Sequence, residues 1–186
     1  MNRFLVTIAF LLTFASDNVM AQTTGFAEWQ LRAVSSEKSV TTMDVQLVKP
    51  LGNGWTLESW SLKTDGWAET QLGVGKKLAP WVSVSASIGI EQSDNLWRTG
   101  YSLWMEKGKN TILVLYEYGD SGAWHKIVAA HEVSPKIRVG VMSLAGLGTG
   151  PYAERKFGPV KIWVTTPVVG MDKREPKVQC GLPASF

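Results

Sequence analysis

The stretch Trp81-Val-Ser-Val-Ser-Ala-Ser-Ile-Gly-Ile90 decides the fold. Val82, Val84, Ala86, Ile88 and Ile90 fall on one side of an extended chain, and Ser83, Ser85, Ser87, Gly89 and Glu91 fall on the other. A period of two sustained over this length is a β-strand with one apolar and one polar face. The pattern recurs on either side. Ala68, Thr70, Leu72 and Val74 oppose Glu69, Gln71, Gly73 and Gly75. Trp97, Thr99, Tyr101, Leu103 and Met105 oppose Arg98, Gly100, Ser102 and Glu106. Ile112, Val114, Tyr116 and Tyr118 oppose a face with Glu117, and Ile137, Val139, Val141 and Ala145 oppose Arg138 and Gly140. Residues 24–34 and 40–49 alternate likewise, with Ala27, Trp29 and Leu31 against Glu28, Gln30 and Arg32, then Met43, Val45 and Leu47 against Asp44 and Gln46.

Turn residues separate these runs: Leu51-Gly-Asn-Gly54, Thr64-Asp-Gly66, Leu78-Ala-Pro80, Gln92-Ser-Asp-Asn95, Gly108-Lys-Asn110, Gly119-Asp-Ser-Gly122 and Ser134-Pro-Lys136. No helical period of useful length follows residue 22. The expectation is an all-β, up-and-down antiparallel meander. Composition agrees with one domain: 186 residues, 45% hydrophobic and 19% charged, with 18 Gly and 9 Trp. The net charge of +3 comes with no Lys/Arg run, so nucleic acid is not an expected partner.

The N-terminus reads as a signal peptide over residues 1–21. Arg3 gives a positive start, Phe4 to Phe14 is uncharged, and Val19-Met20-Ala21 is a small-x-small cleavage site. That run is too short for a spanning helix, which needs about 20 residues. Cys180 is the one cysteine, so no internal disulfide can form, and the exported fold rests on packing and hydrogen bonds.

Which face is inside sets the function class. A soluble barrel buries its apolar face, whereas a membrane barrel turns that face to lipid and its polar face to the lumen. The runs reach about 9–13 residues, the length of a tilted transmembrane strand and longer than the usual soluble strand. Trp55, Trp67, Trp81, Trp97 and Trp124 each stand at a strand start, where both interfacial aromatic belts would fall. The polar faces mix charges of both signs with Gly and Ser. Glu28, Arg32, Asp44, Glu58, Glu69, Arg98, Glu106, Glu117 and Arg138 could pair across an enclosed lumen.

Over residues 24–167 the chain resembles the small outer-membrane β-barrel proteins of Gram-negative bacteria. That resemblance implies a transmembrane barrel in the bacterial outer membrane, with membrane lipid and the β-barrel assembly machinery as partners. The expected organisation is a barrel over 22–167, followed by a tail or closing strand over 168–186. Val178, Cys180, Leu182, Ala184 and Phe186 alternate as a closing strand does, but Pro183 would remove a ladder donor. Tyr152–Phe157 carries Glu154, Arg155 and Lys156 on both faces, so Leu147–Pro159 reads as a long outer loop. About ten strands are therefore expected, and twelve if that stretch and the tail both pair.

Signs of catalysis are sparse. His125 and His131 share one strand face, and a Ser-His-acid set using Ser134 and His131 would make a lipid-modifying enzyme. Six residues apart on a strand is about 20 Å, too far for a shared metal, so no metal site is expected. Gly146-Leu-Gly-Thr-Gly150 lacks the strand-to-helix context of a nucleotide loop, and no cofactor is expected. The favoured reading is a non-enzymatic barrel with a side-chain-filled polar lumen, serving a structural, surface-interaction or narrow small-solute role. The alternatives are a periplasmic or secreted barrel carrying a hydrophobic ligand, and the lipid-modifying enzyme.

Overall fold

The computed structural model describes residues 23–34, 37–170 and 177–185. The expected signal peptide over 1–21 lies outside the described residues. The chain forms β1 (Thr24–Val34), β2 (Glu37–Gly52), β3 (Trp55–Thr64), β4 (Trp67–Ala79), β5 (Val82–Glu91) and β6 (Trp97–Lys107). It continues as β7 (Asn110–Gly119), β8 (Gly122–Ser134), β9 (Ile137–Leu144), β10 (Gly148–Phe157), β11 (Val160–Thr165) and β12 (Lys177–Ser185). Each strand lies antiparallel beside its sequence neighbours, and β12 pairs back onto β1 to close the barrel. Closure leaves no strand edge with unpaired amides, the condition for a sheet in hydrocarbon. Ten residues at about 3.3 Å each, tilted by about 40°, span about 25 Å, which matches a barrel's apolar band.

Both described termini lie at one end of the cylinder, here the terminal end. Its connections are two-residue turns: Asn53-Gly54, Pro80-Trp81, Gly108-Lys109, Pro135-Lys136 and Gly158-Pro159. Asn53 and Gly54 have φ of 50° and 75°, the paired positive values of a type I′ hairpin turn. Longer connections, including Gln92–Leu96, lie at the far end.

The apolar face points outward. Ile88 is 67% exposed, Val141 50% and Val74 49%, while Glu69 is 5% exposed and Arg98 2%. Gly73, Gly75 and Gly100 lie on the inner face. A Cβ on Gly100 would come within 2.5 Å of Gln71 Oε1, so glycine there leaves room for lumenal side chains.

Three expectations need correction. The barrel has twelve strands rather than about ten, the count expected if both Tyr152–Phe157 and the tail pair. Leu147–Pro159 is not a long loop, because Gly148–Phe157 pairs with β9 from Gly148↔Leu144 to Arg155↔Ile137. Glu154 faces inward beside Tyr152, while Arg155 faces outward close to the terminal-end turn, where its guanidinium lies 4.9 Å from the Phe157 ring. A charge near a rim is tolerated far better than one at mid-bilayer, so charges on both faces need not end a strand there. The segment Lys177–Ser185 pairs with β1 from Val34↔Lys177 to Phe26↔Ser185. The proline is accommodated by a gap in the β11 ladder, which pairs Val160↔Ala184 and Trp163↔Gly181 with nothing between.

The third correction concerns tryptophan. Trp55, Trp81 and Trp97 stand exposed on the outside. Trp67 and Trp124 instead line the lumen. Trp67 shares parity with Glu69, and Trp124 lies directly opposite Glu117. Parity, not position at a strand start, sets where each ring points.

Candidate functional site: the lumen

The inward faces enclose a cavity of about 610 Å³. Its walls differ in chemistry. On the β4–β7 side, Arg98 is the hub of a buried charge cluster. Its Nε contacts Glu69 Oε2 at 2.5 Å and donates to Glu117 Oε2 at 2.9 Å. Its Nη1 donates to Glu91 Oε2 at 2.6 Å and to Ser121 Oγ at 2.9 Å. Glu91 also accepts from the Ser121 amide at 2.7 Å, which ties the end of β5 to the β7–β8 turn. The Trp67 ring lies 5.4 Å from the guanidinium carbon. Three carboxylates surround one guanidinium, and burial makes each contact stronger than it would be in water.

A second cluster is centred on β1. Gln30 Nε2 donates to Glu28 Oε2 at 3.0 Å and to Asp44 Oδ2 at 2.9 Å. Gln30 Oε1 accepts from Gln179 Nε2 at 2.7 Å. Trp163 Nε1 donates to Glu28 Oε1. Lys126 Nζ approaches Glu28 Oε2 at 3.4 Å and lies 5.0 Å from the Trp163 ring centre. Lys126 is on β8, five strands round the barrel from β1, so this ion pair crosses the lumen and narrows it.

The β8–β11 side carries an apolar cluster beside its charged residues Lys126, Arg138, Glu154 and Lys161. Val128, Met142, Leu144, Leu147, Tyr152 and Trp163 form one buried cluster, with Leu113, Trp124 and Ala130 packed on it. Tyr152 and Trp163 lie 6.3 Å apart between ring centroids, and the Tyr152 hydroxyl donates to Glu154 at 2.9 Å.

Of the residues singled out in the sequence, Glu28, Asp44, Glu69, Arg98 and Glu117 are buried inside the barrel. Arg32 and Arg138 line the cavity, while Glu106 stands exposed toward the terminal end, where it accepts from Arg138 at 3.2 Å. Glu58 accepts from Thr56 at 2.9 Å. Lys126, Gln30, Gln179, Glu91 and Trp163 were not singled out. Parity does put Gln30 and Glu91 on the polar faces, but nothing in the sequence marks them as partners in these clusters.

The histidines are not brought together. His131 Nδ1 lies 2.9 Å from Asn110 Oδ1 at the exposed end of β8. His125 Nε2 lies 3.2 Å from Ser143 Oγ, which accepts from Thr149 Oγ1 at 2.9 Å. Among the described residues, neither histidine contacts Ser134 or a carboxylate, so the Ser134–His131 set does not assemble. Among the described residues no three His, Cys, Asp or Glu side chains group as metal ligands.

Outside the membrane-spanning strands, Asn95 Nδ2 donates to Asp120 Oδ1 at 2.6 Å and links two far-end connections. That hydrogen bond holds the Asp120 carboxyl below its ordinary value of 3.8.

No protein-family model matches the chain, and no curated protein matches it. Among solved structures, the KdgM porin is 12% identical with a TM-score of 0.58, over 87% of this chain and 99% of that one. An outer-membrane channel from Pseudomonas putida F1 is also 12% identical, with a TM-score of 0.52 over 88% of this chain and 95% of that one. At such identities the likeness establishes fold, not activity. The fold is that of the small outer-membrane β-barrels. An apolar outer wall around a polar interior is the surface such a barrel presents to the bilayer.

Proposed function

We propose that this chain is a narrow outer-membrane channel for small polar solutes. The observation that carries the reading is the pairing of an apolar exterior with a cavity of about 610 Å³ whose walls bear buried charges. A twelve-strand cylinder is wider than the eight-strand case that side chains just fill, which leaves room for solute. The Lys126–Glu28 pair narrows that room, so the route suits small molecules rather than a general porin's range. The likeness to two channels supports the same reading. Export by a signal over residues 1–21, folding by the assembly machinery and interfacial anchoring by Trp55, Trp81 and Trp97 belong to it.

A closed structural barrel is the second reading, favoured by the ion pair across the lumen. Planar-bilayer recording separates the two. The channel reading expects unit conductance steps from the folded barrel, which is verified by its altered gel mobility before boiling in SDS. A folded barrel that inserts and stays electrically silent would leave only the structural reading.

A further inference from the structure

The cluster around β1 has an imbalance that its own residues do not resolve. Glu28 and Asp44 contribute two carboxylates; Lys126 pairs with Glu28, Arg32 stands further along the same face of β1, and among the described residues no ion pair reaches Asp44. Lys126 shows how this lumen holds a cation: its Nζ is 3.4 Å from a Glu28 oxygen and 5.0 Å from the Trp163 ring centre. Asp44 has no such partner. Its Oδ2 accepts from the Gln30 amide, and its Oδ1 accepts nothing. Gln179 donates its Nε2 to the same Gln30, and its Oε1 also accepts nothing. Asp44 is 6% exposed and Gln179 7%, and both line the cavity. Buried acceptors of this kind are costly unless a donor meets them.

We propose that Asp44 and Gln179 form a lumenal subsite for a monovalent cation bearing N–H donors, an ammonium or guanidinium group. The inference rests on the channel reading for its route of entry, but the subsite can be tested without it. Water could satisfy both oxygens, yet it brings no positive charge to offset the second carboxylate. A bare divalent ion would need about six or more oxygen ligands, and the two open acceptors fall far short. An ammonium matches the need, since it brings several N–H donors to these open acceptors and supplies one charge. The Arg98 cluster, with three carboxylates about one guanidinium, adds to the same negative bias further along the wall.

Two measurements test the subsite. In the first, ethylammonium chloride is titrated calorimetrically into the folded barrel in detergent, against potassium chloride at equal ionic strength. Saturable binding of ethylammonium is expected, weakened about tenfold by Asp44→Asn, since one charge-assisted hydrogen bond is lost. Gln179→Met, which removes only the neutral acceptor, should weaken it less and serves if the first variant does not fold. In the second, the reversal potential across a KCl gradient in planar bilayers should show cation preference, reduced in Asp44→Asn. Ethylammonium binding with a silent bilayer would support the subsite and remove the channel reading. Conductance without ethylammonium binding, or binding unchanged in both variants, would overturn the subsite and leave the channel intact.

Discussion

The two walls of the lumen make the same barrel by opposite means. On the β4–β7 side the inner face is charged, and Arg98 holds Glu69, Glu91 and Glu117 together at 2.5–2.9 Å. On the β8–β11 side the inner face gathers an apolar cluster, with Met142, Leu144, Tyr152 and Trp163 packed as a soluble core would be, beside the lumenal charges Lys126, Arg138 and Glu154. Both walls turn Val and Ile side chains outward. A membrane barrel therefore requires an apolar exterior, and its interior can be stabilised by ion pairs or by packing.

This contrast gives an ordered set of outcomes. The largest effect is expected from Arg98→Met, which would leave three carboxylates buried without their cation. Breaking a buried ion cluster by removing one partner costs about 3–5 kcal/mol, so the barrel should lose assembly or its heat-modifiable gel shift. On the other wall Met142→Ala should cost about 2–4 kcal/mol, read from urea unfolding in detergent, because the cavity closes only partly. If Met142→Ala proves the more damaging, the charged wall is not the stronger tie. Ile88→Arg places a charge on the lipid face, where about 2–4 kcal/mol is expected near the midplane and little at the rims. A variant that assembles as well as the native chain would put residue 88 away from hydrocarbon.

The smallest effect belongs to the far-end link. Asp120 has its folded value depressed, so its contribution is present above pH 3.8 and fades as pH falls through the lower folded value. Asn95→Ala should leave the global unfolding midpoint at that of the native chain, as for an exposed hydrogen bond. Its effect should instead appear as faster amide exchange over residues 92–96 at pH 6. Equal exchange in both proteins would mean that the bond does not order the loop.

The same contrast explains how far the sequence could be read. From β4 to β7 the faces differ sharply in polarity, so alternation located the strands and turned Glu69, Arg98 and Glu117 inward. From β8 onward the inner face also carries large apolar residues, such as Val128, Met142, Leu144 and Trp163, so the period of two loses much of its contrast. Met142 and Leu144 follow Val141 with no polar residue to mark the inner side. Tyr152 and Glu154 face inward while Arg155 faces outward at the rim, so β10 read as loop. Lys126 could not be placed at Glu28, nor Gln179 at Gln30, from sequence, because both meetings depend on closure of a cylinder whose strand count was unsettled. Trp67 and Trp124 were placed by position along the strand when parity governed.

The account stands on the outer wall meeting lipid while the inner wall meets water. In proteoliposomes of a Cys180→Ser background, nitroxides attached at Ile88→Cys and at Leu115→Cys report each wall by collision with dissolved oxygen or a water-soluble nickel chelate. The expected result is oxygen preference at position 88 and chelate access at position 115. Chelate access at 88 with oxygen preference at 115 would contradict the account outright.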